Sequence, residues 1–410
     1  MASVQQNIGG NVGQFNTLFT SITSGSYGLG SSTEADAAVA VRTLGTFSNL
    51  SVQVSTSTGT AVWKLRVNGA DGNEAVSAAG TGSFVDVTNT DSPTAGQGVC
   101  VQQTGATSNP GGLGVVFTAS SDTVGRIGSN SDSINANAGS TTFFVGFGGR
   151  GAGNTTEANA QVQLLQSCTL QNLFIRCSVK GRSKSDTVTL RNNAANGNET
   201  VTVSATGIFE DTTHTDAISA NGKVCLSVVT GSGSGIDNFT PVSIEQLSTN
   251  DTFYSVCKND SGGPDTFNFG STGYANFSGF LNTTSTESFQ TSIISVDGSV
   301  SQSDVNVTAN TINGSTTFTL RQNSADTALI ATIGSSTTGF VSDTTHSVTV
   351  AVNDLLDWET TAAGSSGSAT MQALTALFTI SSGPTVGEMV ASAMFGFIQP
   401  FPLRTQIVAY

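Results

Sequence analysis

Short runs of alternating apolar and polar residues recur along the whole chain, as in "NLSVQV" from Asn49 and "HSVTVAV" from His346. Alternation with a period of two, rich in β-branched and aromatic residues, predicts half-buried strands. Gly, Asn, Ser and Asp separate the runs, and these residues favour turns. The pattern therefore predicts an all-β protein built from many short strands.

Three stretches of the chain repeat the same features in the same order. Each begins at a glutamate, continues through a Leu-Arg-x-Asn strand and ends at a turn where an aspartate follows a glycine by four residues. The repeated residues are Glu34, Glu157 and Glu287, then Arg66, Arg191 and Arg321, then Asp86, Asp211 and Asp343. The arginines recur after 125 and then 130 residues, which is the size of a whole domain.

The repeat predicts three tandem β-sandwich domains, each with about eight short strands. Boundaries placed at the repeated glutamates give units 33–155, 156–284 and 285–410, with an N-terminal arm at 1–32. Both a jelly-roll and an immunoglobulin-like topology fit this pattern of strands and turns.

The third unit contains "TTFTLRQNSADTALIATIGSSTTGFVSDTTHSVTVAVNDLL". It resembles a widespread uncharacterised β-sandwich repeat of phage particle proteins and environmental bacterial surface proteins. The residues that carry the resemblance are Leu320, Arg321, Asn323, the "ADTAL" strand from Ala325, the "DTTH" turn from Asp343 and "NDLL" from Asn353. The resemblance covers the centre of each unit and not the arm. It implies a structural or adhesive role without catalytic residues.

The charge of the chain argues against several classes of partner. The net charge is −14, and the 14 basic residues are scattered over 410 positions. Nucleic acids and anionic membranes are bound through clusters of Lys and Arg, so neither is an expected partner. No apolar run approaches the about 20 residues of a membrane-spanning helix. The first residues, "MASVQQNIGGNVG", show no secretory signal.

The sequence "EDTTHTD" in the second unit places Asp211, His214 and Asp216 close together, which makes them a candidate metal site. The first unit has Asn89 in place of the histidine, and the third has Val348 in place of the second aspartate. Only the first aspartate and a following threonine persist. Because Asp side chains accept backbone N–H groups in turns, a structural turn is favoured over a metal site. No cofactor is indicated.

Catalytic motifs are absent from the sequence. The two histidines, His214 and His346, occupy the same repeat position, and the repeated glutamates are equivalent to one another. A Ser-His-Asp hydrolase needs a unique histidine beside a unique serine, and no nucleophile elbow, P-loop or zinc motif is present. We therefore expect no catalytic residues and no enzyme activity.

The repeated arginines each follow a core-facing leucine on a strand. The favoured interpretation is an outward Arg that pairs with a carboxylate on the adjacent strand, with the repeated aspartate as one candidate. The alternative is a contact between units or subunits, because Arg is enriched at interfaces.

The five cysteines show no regular framework, which argues against a disulfide scaffold. Cys100 and Cys225 are repeat equivalents, and because Asp357 takes their place in the third unit, we expect this position to lie outside the deep core. Cys177 aligns with Val54 and is predicted to be a buried thiol. One bridge within the second unit stays open as an alternative.

Asn-x-Ser/Thr sequons are numerous, but the abundance of Asn, Ser and Thr alone would produce nearly as many. N-glycosylation therefore remains an open prediction. The candidate sites are Asn49, Asn154, Asn198, Asn238, Asn250, Asn259, Asn276, Asn282, Asn306 and Asn313.

These observations favour a non-enzymatic structural subunit of an extracellular assembly. It would be a phage virion decoration, fibre or appendage, or a self-assembling surface filament; the missing signal favours a virion surface. The alternative is a carbohydrate-binding or adhesion protein. Its candidate aromatics are Trp63, Tyr254, Tyr274 and Trp358, although Trp63 and Trp358 lie in predicted strands and more often belong to a core.

The arm resembles the closing stretch of a unit, although no unit precedes it. Because an unpaired apolar strand is a sticky edge that proteins cover, residues 14–29 are predicted to pack on an adjacent copy by strand exchange. The chain itself would then be its own partner. The rival expectation is that the arm folds back on the first unit as an extra edge strand.

Overall fold

A computed structural model describes most of the chain. The described residues are 3–9, 17–22, 24–25, 32–106, 108–119, 124–134, 140–148, 153–247, 252–258, 265–268, 270–277, 279–280, 285–294 and 296–381. Among them, no helix is long and apolar enough to span a membrane.

Strands of the first part of the chain form two sheets, with orders β3-β1-β11-β5-β8 and β2-β10-β6-β7. Strand β9 pairs with β5, and β4 pairs with β10. The strands are β1 (Ser3–Gly9), β2 (Thr17–Ser21), β3 (Ser24–Gly25), β4 (Val39–Ala40), β5 (Gly45–Ser57), β6 (Ala61–Val67), β7 (Ala70–Ala78), β8 (Gly82–Val85), β9 (Thr90–Asp91), β10 (Gly98–Gly105) and β11 (Ser108–Ala119).

The second part of the chain repeats this arrangement. Its sheets have the orders β12-β20-β15-β18 and β13-β19-β16-β17, and β14 pairs with β19. The strands are β12 (Val124–Ile134), β13 (Thr142–Val145), β14 (Val162–Leu164), β15 (Cys168–Lys180), β16 (Asp186–Asn192), β17 (Ala195–Val203), β18 (Gly207–Ile218), β19 (Gly222–Val229) and β20 (Asp237–Leu247).

The third part follows the same plan, with sheets β24-β21-β31-β26-β29 and β23-β30-β27-β28. Strand β22 pairs with β31, and β25 pairs with β30. The strands are β21 (Thr252–Lys258), β22 (Asp265–Asn268), β23 (Thr272–Asn276), β24 (Gly279–Phe280), β25 (Ser292–Ile293), β26 (Gly298–Asn310), β27 (Thr316–Gln322), β28 (Ala325–Ile333), β29 (Gly339–Val350), β30 (Leu355–Ala362) and β31 (Ser368–Ile380). Three single helical turns, at Glu34–Asp36, Glu157–Ala160 and Glu287–Phe289, precede β4, β14 and β25.

The strand order identifies each part as a jelly roll. If the eight principal strands of the second part are numbered along the chain, its sheets have the orders 1-8-3-6 and 2-7-4-5. These nested antiparallel pairs are those of a double-sheet jelly roll, whereas an immunoglobulin fold groups its strands differently. The all-β prediction is confirmed, and of the two topologies left open the sheets have the jelly-roll order. We call the three parts the first, second and third jelly rolls.

The jelly rolls begin at Ser3, Val124 and Thr252, ahead of the boundaries predicted at 33, 156 and 285. The apolar stretch before each repeated glutamate explains the difference. In the second jelly roll this stretch is β13, which pairs with β19 of the same jelly roll rather than closing the preceding one. The sheets therefore place the start of each jelly roll before the repeated glutamate.

Three strands of the first jelly roll, β1, β2 and β3, lie in the predicted arm. Strand β1 pairs with β11, and β2 pairs with β10, both antiparallel. This in-chain pairing is the rival expectation for the arm. Residues 10–16 and 26–31 of the arm lie outside the described residues, and exchange of the strands between copies stays a prediction.

Each sandwich buries the inward-facing side chains, which alternate with outward-facing ones along every strand. Leu65, Leu190 and Leu320, which precede the repeated arginines, are fully buried, and each contributes about 1.5–3 kcal/mol through the apolar surface it removes from water. Trp63 and Trp358 are also buried. The ring of Trp358 stacks on Phe277 with centroids 6.3 Å apart, so both tryptophans belong to cores.

A short segment between the second and third principal strands connects each jelly roll to a neighbour. We call these the bridging segments and define them as residues 34–42, 157–165 and 287–296. The first contacts the second jelly roll: Asp36 Oδ1 lies 3.2 Å from Arg176 Nη2. At its other end, Arg42 Nε donates to Glu210 Oε1 at 2.9 Å.

The bridging segment of the second jelly roll contacts the third in the corresponding place. Asn306 Nδ2 donates to the Ala158 carbonyl at 3.1 Å. Gln163 Nε2 donates to Asp304 Oδ1 at 3.4 Å. Asp304 is buried, and burial raises its pKa to about 7.

The bridging segment of the third jelly roll returns to the first. Strand β25 lies against β5 and β11, and Ile294 and Val296 belong to one apolar cluster with core residues of the first jelly roll. The first strand of the second jelly roll, β12, contacts the first strands of the other two, β1 and β21. Strand β24, which pairs with β21, contacts β1. Three equivalent contacts therefore close a ring with pseudo-three-fold symmetry.

Candidate functional site

The repeated arginine and glutamate meet in every jelly roll, although 32 to 34 residues separate them in sequence. Arg191 Nε and Nη2 donate to the two carboxylate oxygens of Glu157 at 2.9 and 3.0 Å. Equivalent ion pairs join Arg66 to Glu34 and Arg321 to Glu287. A bidentate pair of this kind fixes the orientation of both side chains as well as contributing energy.

The same guanidinium spans the tight hairpin that follows it. Its Nη1 bonds to a residue on the adjacent strand, which is Asp71, Asn196 or Asp326 in the three jelly rolls. The favoured interpretation expects a carboxylate on the adjacent strand: Asp71 and Asp326 are such partners, whereas Asn196 is an amide. The repeated aspartates are not partners of the arginines, because their carboxylates bind elsewhere.

The asparagine of the Leu-Arg-x-Asn motif forms the hairpin turn. Asn68, Asn193 and Asn323 have φ angles of 50°, 50° and 52°, a left-handed conformation that Asn tolerates better than most residues. The motif thus combines an Arg that binds the repeated glutamate with an Asn that forms the hairpin turn, which explains why Arg and Asn recur together.

An aromatic ring from the second principal strand covers each guanidinium. Phe19, Phe144 and Tyr274 lie with ring centroids 5.9, 6.0 and 5.7 Å from the Cζ atoms of their arginines. Such cation–π contacts stabilise a partly desolvated cation. The arginine cluster of each jelly roll thus ties together the second strand, the hairpin and the bridging segment.

The residue behind each ion pair is buried, so the expectation that this position lies outside the core is wrong. Cys100, Cys225 and Asp357 are all fully buried. An aspartate is accommodated there because burial, with the nearby charge of Glu287, raises its pKa to about 9 and keeps it neutral. Burial likewise raises the pKa of the Cys100 thiol far above its usual range, which makes this thiol unreactive.

The repeated aspartates accept hydrogen bonds from backbone N–H groups of the strand and turn around them. Asp211 accepts from the amides of Thr200, Thr213 and His214 at 3.0, 3.1 and 3.2 Å. Asp86 and Asp343 have equivalent bonds. Burial alone would raise the pKa of these carboxyls, but the hydrogen bonds outweigh it and hold the pKa well below its usual range.

The candidate metal ligands do not converge on one point. His214 Nδ1 lies 2.8 Å from Asp211 Oδ2, whereas both oxygens of Asp216 accept from the backbone amide of Asn198 at 2.9 Å. Within the described part of the chain, no group of three His, Cys, Asp or Glu residues is placed to hold a metal ion.

A buried glutamate, which sequence reasoning did not single out, pairs with the second aspartate of this turn in two jelly rolls. Glu199 donates its backbone N–H to Asp216 at 3.0 Å, while its own carboxylate accepts from the Leu173 amide at 2.9 Å. Burial raises the pKa of Glu199 to about 8. The first jelly roll has the same pair in Glu74 and Asp91. In the third jelly roll, Leu329 replaces the glutamate and Val348 replaces the aspartate, and both are buried. Because both acids are replaced by apolar residues together, the aligned repeats could have revealed the pair.

Cysteines of the second jelly roll form no disulfide bond. Cys168, Cys177 and Cys225 are thiols, so the bridge left open within the second unit is not present among them. Cys177 is buried as predicted. The side chain of Cys257 lies outside the described residues.

The sequons differ in accessibility. Asn276 and Asn306 are buried, and folding would hide them from a modifying enzyme. Asn250, Asn259 and Asn282 lie outside the described residues. At the remaining positions, Asn49, Asn154, Asn198, Asn238 and Asn313, glycosylation stays a prediction.

Comparisons with known proteins add little to this picture. No family model and no curated protein matches the chain. Its matches among solved structures include "The Triple Jelly Roll Fold and Turret Assembly in an Archaeal Virus", at 11% identity, covering 87% of this chain and 82% of that chain, with a TM-score of 0.17. At that TM-score the likeness carries no argument about this chain.

Proposed function

We propose that this chain is a non-enzymatic structural subunit of an extracellular assembly, either a phage particle component or a surface filament. The observation that carries the proposal is the ring of three jelly rolls, closed by equivalent bridging segments. The repeated residues of this chain hold copies of one fold together, which is typical of a structural protein.

The arginine cluster supports this proposal because it anchors the bridging segment. Glu34, the first residue of its segment, is held by Arg66, and two residues later Asp36 reaches Arg176 of the next jelly roll. Fixing one end of a short segment restricts the positions available to the other end. The repeated Glu–Arg pair is therefore best understood as a support for the ring.

The described side chains offer little to catalysis. Burial raises the pKa of the Cys168 and Cys177 thiols to about 12 and about 11, so neither is a ready nucleophile. Each histidine has its Nδ1 bound to the aspartate three residues before it. These features favour a structural role over an enzymatic one.

Assembly with further copies is part of the proposal. Strand β1 pairs with β11, and β2 pairs with β10, each towards the edge of its sheet. Such a strand can make the same hydrogen bonds to the sheet of a neighbouring copy. N-terminal strand exchange would link rings into larger particles at a virion or cell surface.

Electron microscopy of the purified full chain, with light scattering across a range of concentrations, tests this proposal. We expect ring-shaped subunits that join into larger particles or filaments. The control is a variant with both Asp36→Arg and Arg42→Glu. These substitutions place like charges beside Arg176 and Glu210 of the second jelly roll and should open the ring. A monodisperse monomer under every condition would count against the assembly.

The alternative, a carbohydrate-binding protein, has less support. Trp63 and Trp358 are buried, and Tyr274 packs on Arg321. The side chain of Tyr254 lies outside the described residues. Micromolar binding on a glycan array, lost on Tyr274→Ala, would favour this alternative over a purely structural role.

A further inference from the structure

Four charged residues are buried together where β15 ends and where β16 and β20 begin. The side chain of Lys180 is 5% exposed, and those of Arg182, Asp186 and Asp237 are 0% exposed. The site lies between the two sheets of the second jelly roll, because β15 and β20 belong to one sheet and β16 to the other.

The lysine amine lies between the two carboxylates. Lys180 Nζ is 3.0 Å from Oδ2 of Asp186 and 3.0 Å from Oδ2 of Asp237, and it donates to the Lys184 carbonyl at 2.8 Å. Asp237 also binds Arg182 Nη1 and, through Oδ1, the amides of Gly181 and Arg182 at 2.7 and 3.2 Å.

Neither of the other jelly rolls has these charges. At the position of Asp186, the first jelly roll has Ala61 and the third has Thr316, as the equivalent strand registers show. At the position of Lys180, the third jelly roll has Asn310. The fold therefore forms without the cluster. Burying charged groups carries a large desolvation cost that pairing offsets only in part. We therefore infer that the cluster has a role other than stabilising the fold.

The pKa values of the two aspartates are shifted in opposite directions. Burial and the hydrogen bond with Asp237 raise the pKa of Asp186. Burial also disfavours the charge of Asp237, but bonds from Asp186, Lys180 and Arg182 outweigh it and lower its pKa to about 2. Of the two carboxyl groups that flank the amine, that of Asp186 therefore holds a proton more readily than that of Asp237.

We propose that Lys180 and Asp186 form an intramolecular amide bond. The Asp237 carboxylate takes one proton from the ammonium, and the free amine attacks Cγ of the protonated Asp186 carboxyl group. The new C–N bond forms, one C–O bond breaks, and the hydroxyl leaves as water with a second proton from the nitrogen. The first proton stays on Asp237, so atoms and charge balance without any other reactant.

The bond would join the two sheets of the second jelly roll covalently. It needs no oxidant, unlike a disulfide, and so it could form wherever the chain folds. This inference does not depend on the proposed function, because it concerns only side chains inside one jelly roll.

Mass spectrometry of the intact full chain tests the proposal. We expect the folded protein to weigh less than its sequence by one water molecule, and the Lys180→Met variant to keep the full sequence mass. The Asp186→Asn variant should form the same amide by releasing ammonia and so match the mass of the cross-linked parent. The Asp237→Asn variant should not react, because it lacks the base.

Tryptic digestion locates the bond. Trypsin does not cleave after an acylated lysine, so residues 177–182 should stay joined to 185–191 as a branched peptide. An unmodified mass together with cleavage after Lys180 would overturn the proposal, and so would a loss of water without the branched peptide, since an aspartyl succinimide loses water too. Attachment to the peptide 224–258 would overturn the roles given to the two aspartates.

Discussion

Glu157 lies 34 residues before Arg191 and receives both the Nε and the Nη2 hydrogen bonds of that arginine, at 2.9 and 3.0 Å. The pair joins the start of a bridging segment to the centre of a sheet. Its side chains are each 16% exposed, so water screens the interaction less than at a typical surface ion pair.

Replacement of this arginine by lysine should destabilise the second jelly roll. Lysine keeps the charge but loses the planar fork that binds both oxygens, so Arg191→Lys should lower the free energy of unfolding by about 1–2 kcal/mol. Urea denaturation measures the change. Lys64→Met is the control, because the exposed pair of Lys64 with Asp71 contributes less than about 1 kcal/mol. Equal losses in the two variants would contradict the anchoring role.

The repeated aspartate should stabilise its turn without any metal. Asp211→Ala and Asp343→Ala each leave backbone N–H groups without an acceptor, and each should cost about 1–2 kcal/mol. A fall of several degrees in the melting temperature of the parent protein in EDTA would instead support the metal site.

Acid should remove this contribution of the aspartates. The pKa of Asp343 is held below its ordinary value of 3.8, so its stabilising effect is complete above that value and is lost as the pH falls further. The difference in melting temperature between the parent and Asp343→Ala should therefore shrink as the pH falls below 3.8. A scan of melting temperature against pH measures it.

Buried Glu199 should have the opposite pH dependence. Its pKa rises from 4.5 to about 8 in the folded chain, so the folded state binds the proton more tightly and loses stability as the pH rises between these values. Glu199→Gln, which cannot ionise, should gain melting temperature relative to the parent between pH 5 and 8. Asp71→Asn is the control, because the pKa of Asp71 is lowered and lies outside this window. Parallel pH profiles for the parent and Glu199→Gln would contradict the assignment.

Charge reversal should test the contact between the first two jelly rolls. Arg42→Glu places like charges beside Glu210 and should speed hydrogen exchange in the bridging segment 34–42. Adding Glu210→Arg restores opposite charges across the contact and should recover most of the protection. Failure of the double variant to recover would show that the segment is held by other contacts.

Deletion of residues 2–30 should destabilise the first jelly roll. It removes β1 and β2, which leaves β11 and β10 without their outer partners. A separate, less stable urea transition should appear for the first jelly roll, and a synthetic peptide of residues 2–30 should abolish it if the strands can be supplied by another chain. Unchanged stability after the deletion would contradict the observed pairing.

The sequence revealed the period of the repeat but not its starting point, for a physical reason. Glu34, Glu157 and Glu287 stand out because each must bind an arginine. The first strands of the jelly rolls carry no such requirement: β1 reads "SVQQNIG" and β12 reads "VGRIGSNSDSI". Backbone hydrogen bonds define these strands, and many sequences can form them.

The sequence also predicted a partner for the arginines on the adjacent strand but not the glutamate that binds both nitrogens. Alternation along a strand indicates neighbours such as Asp71 and Asp326, whereas the bidentate partner comes from a distant segment that only the tertiary fold brings near. Asp357 misled the burial prediction in a similar way. An aspartate usually marks the surface, but a neutral one can occupy a core position.

The three jelly rolls belong to one polypeptide chain. A ring of separate proteins would fall apart on dilution, whereas here the partners stay at high effective concentration however dilute the protein becomes. Copy number is also fixed by translation, since every ring receives one jelly roll of each kind. A mutation in one of them changes one third of the ring, so evolution can give the three sides different chemistry while the shared architecture persists.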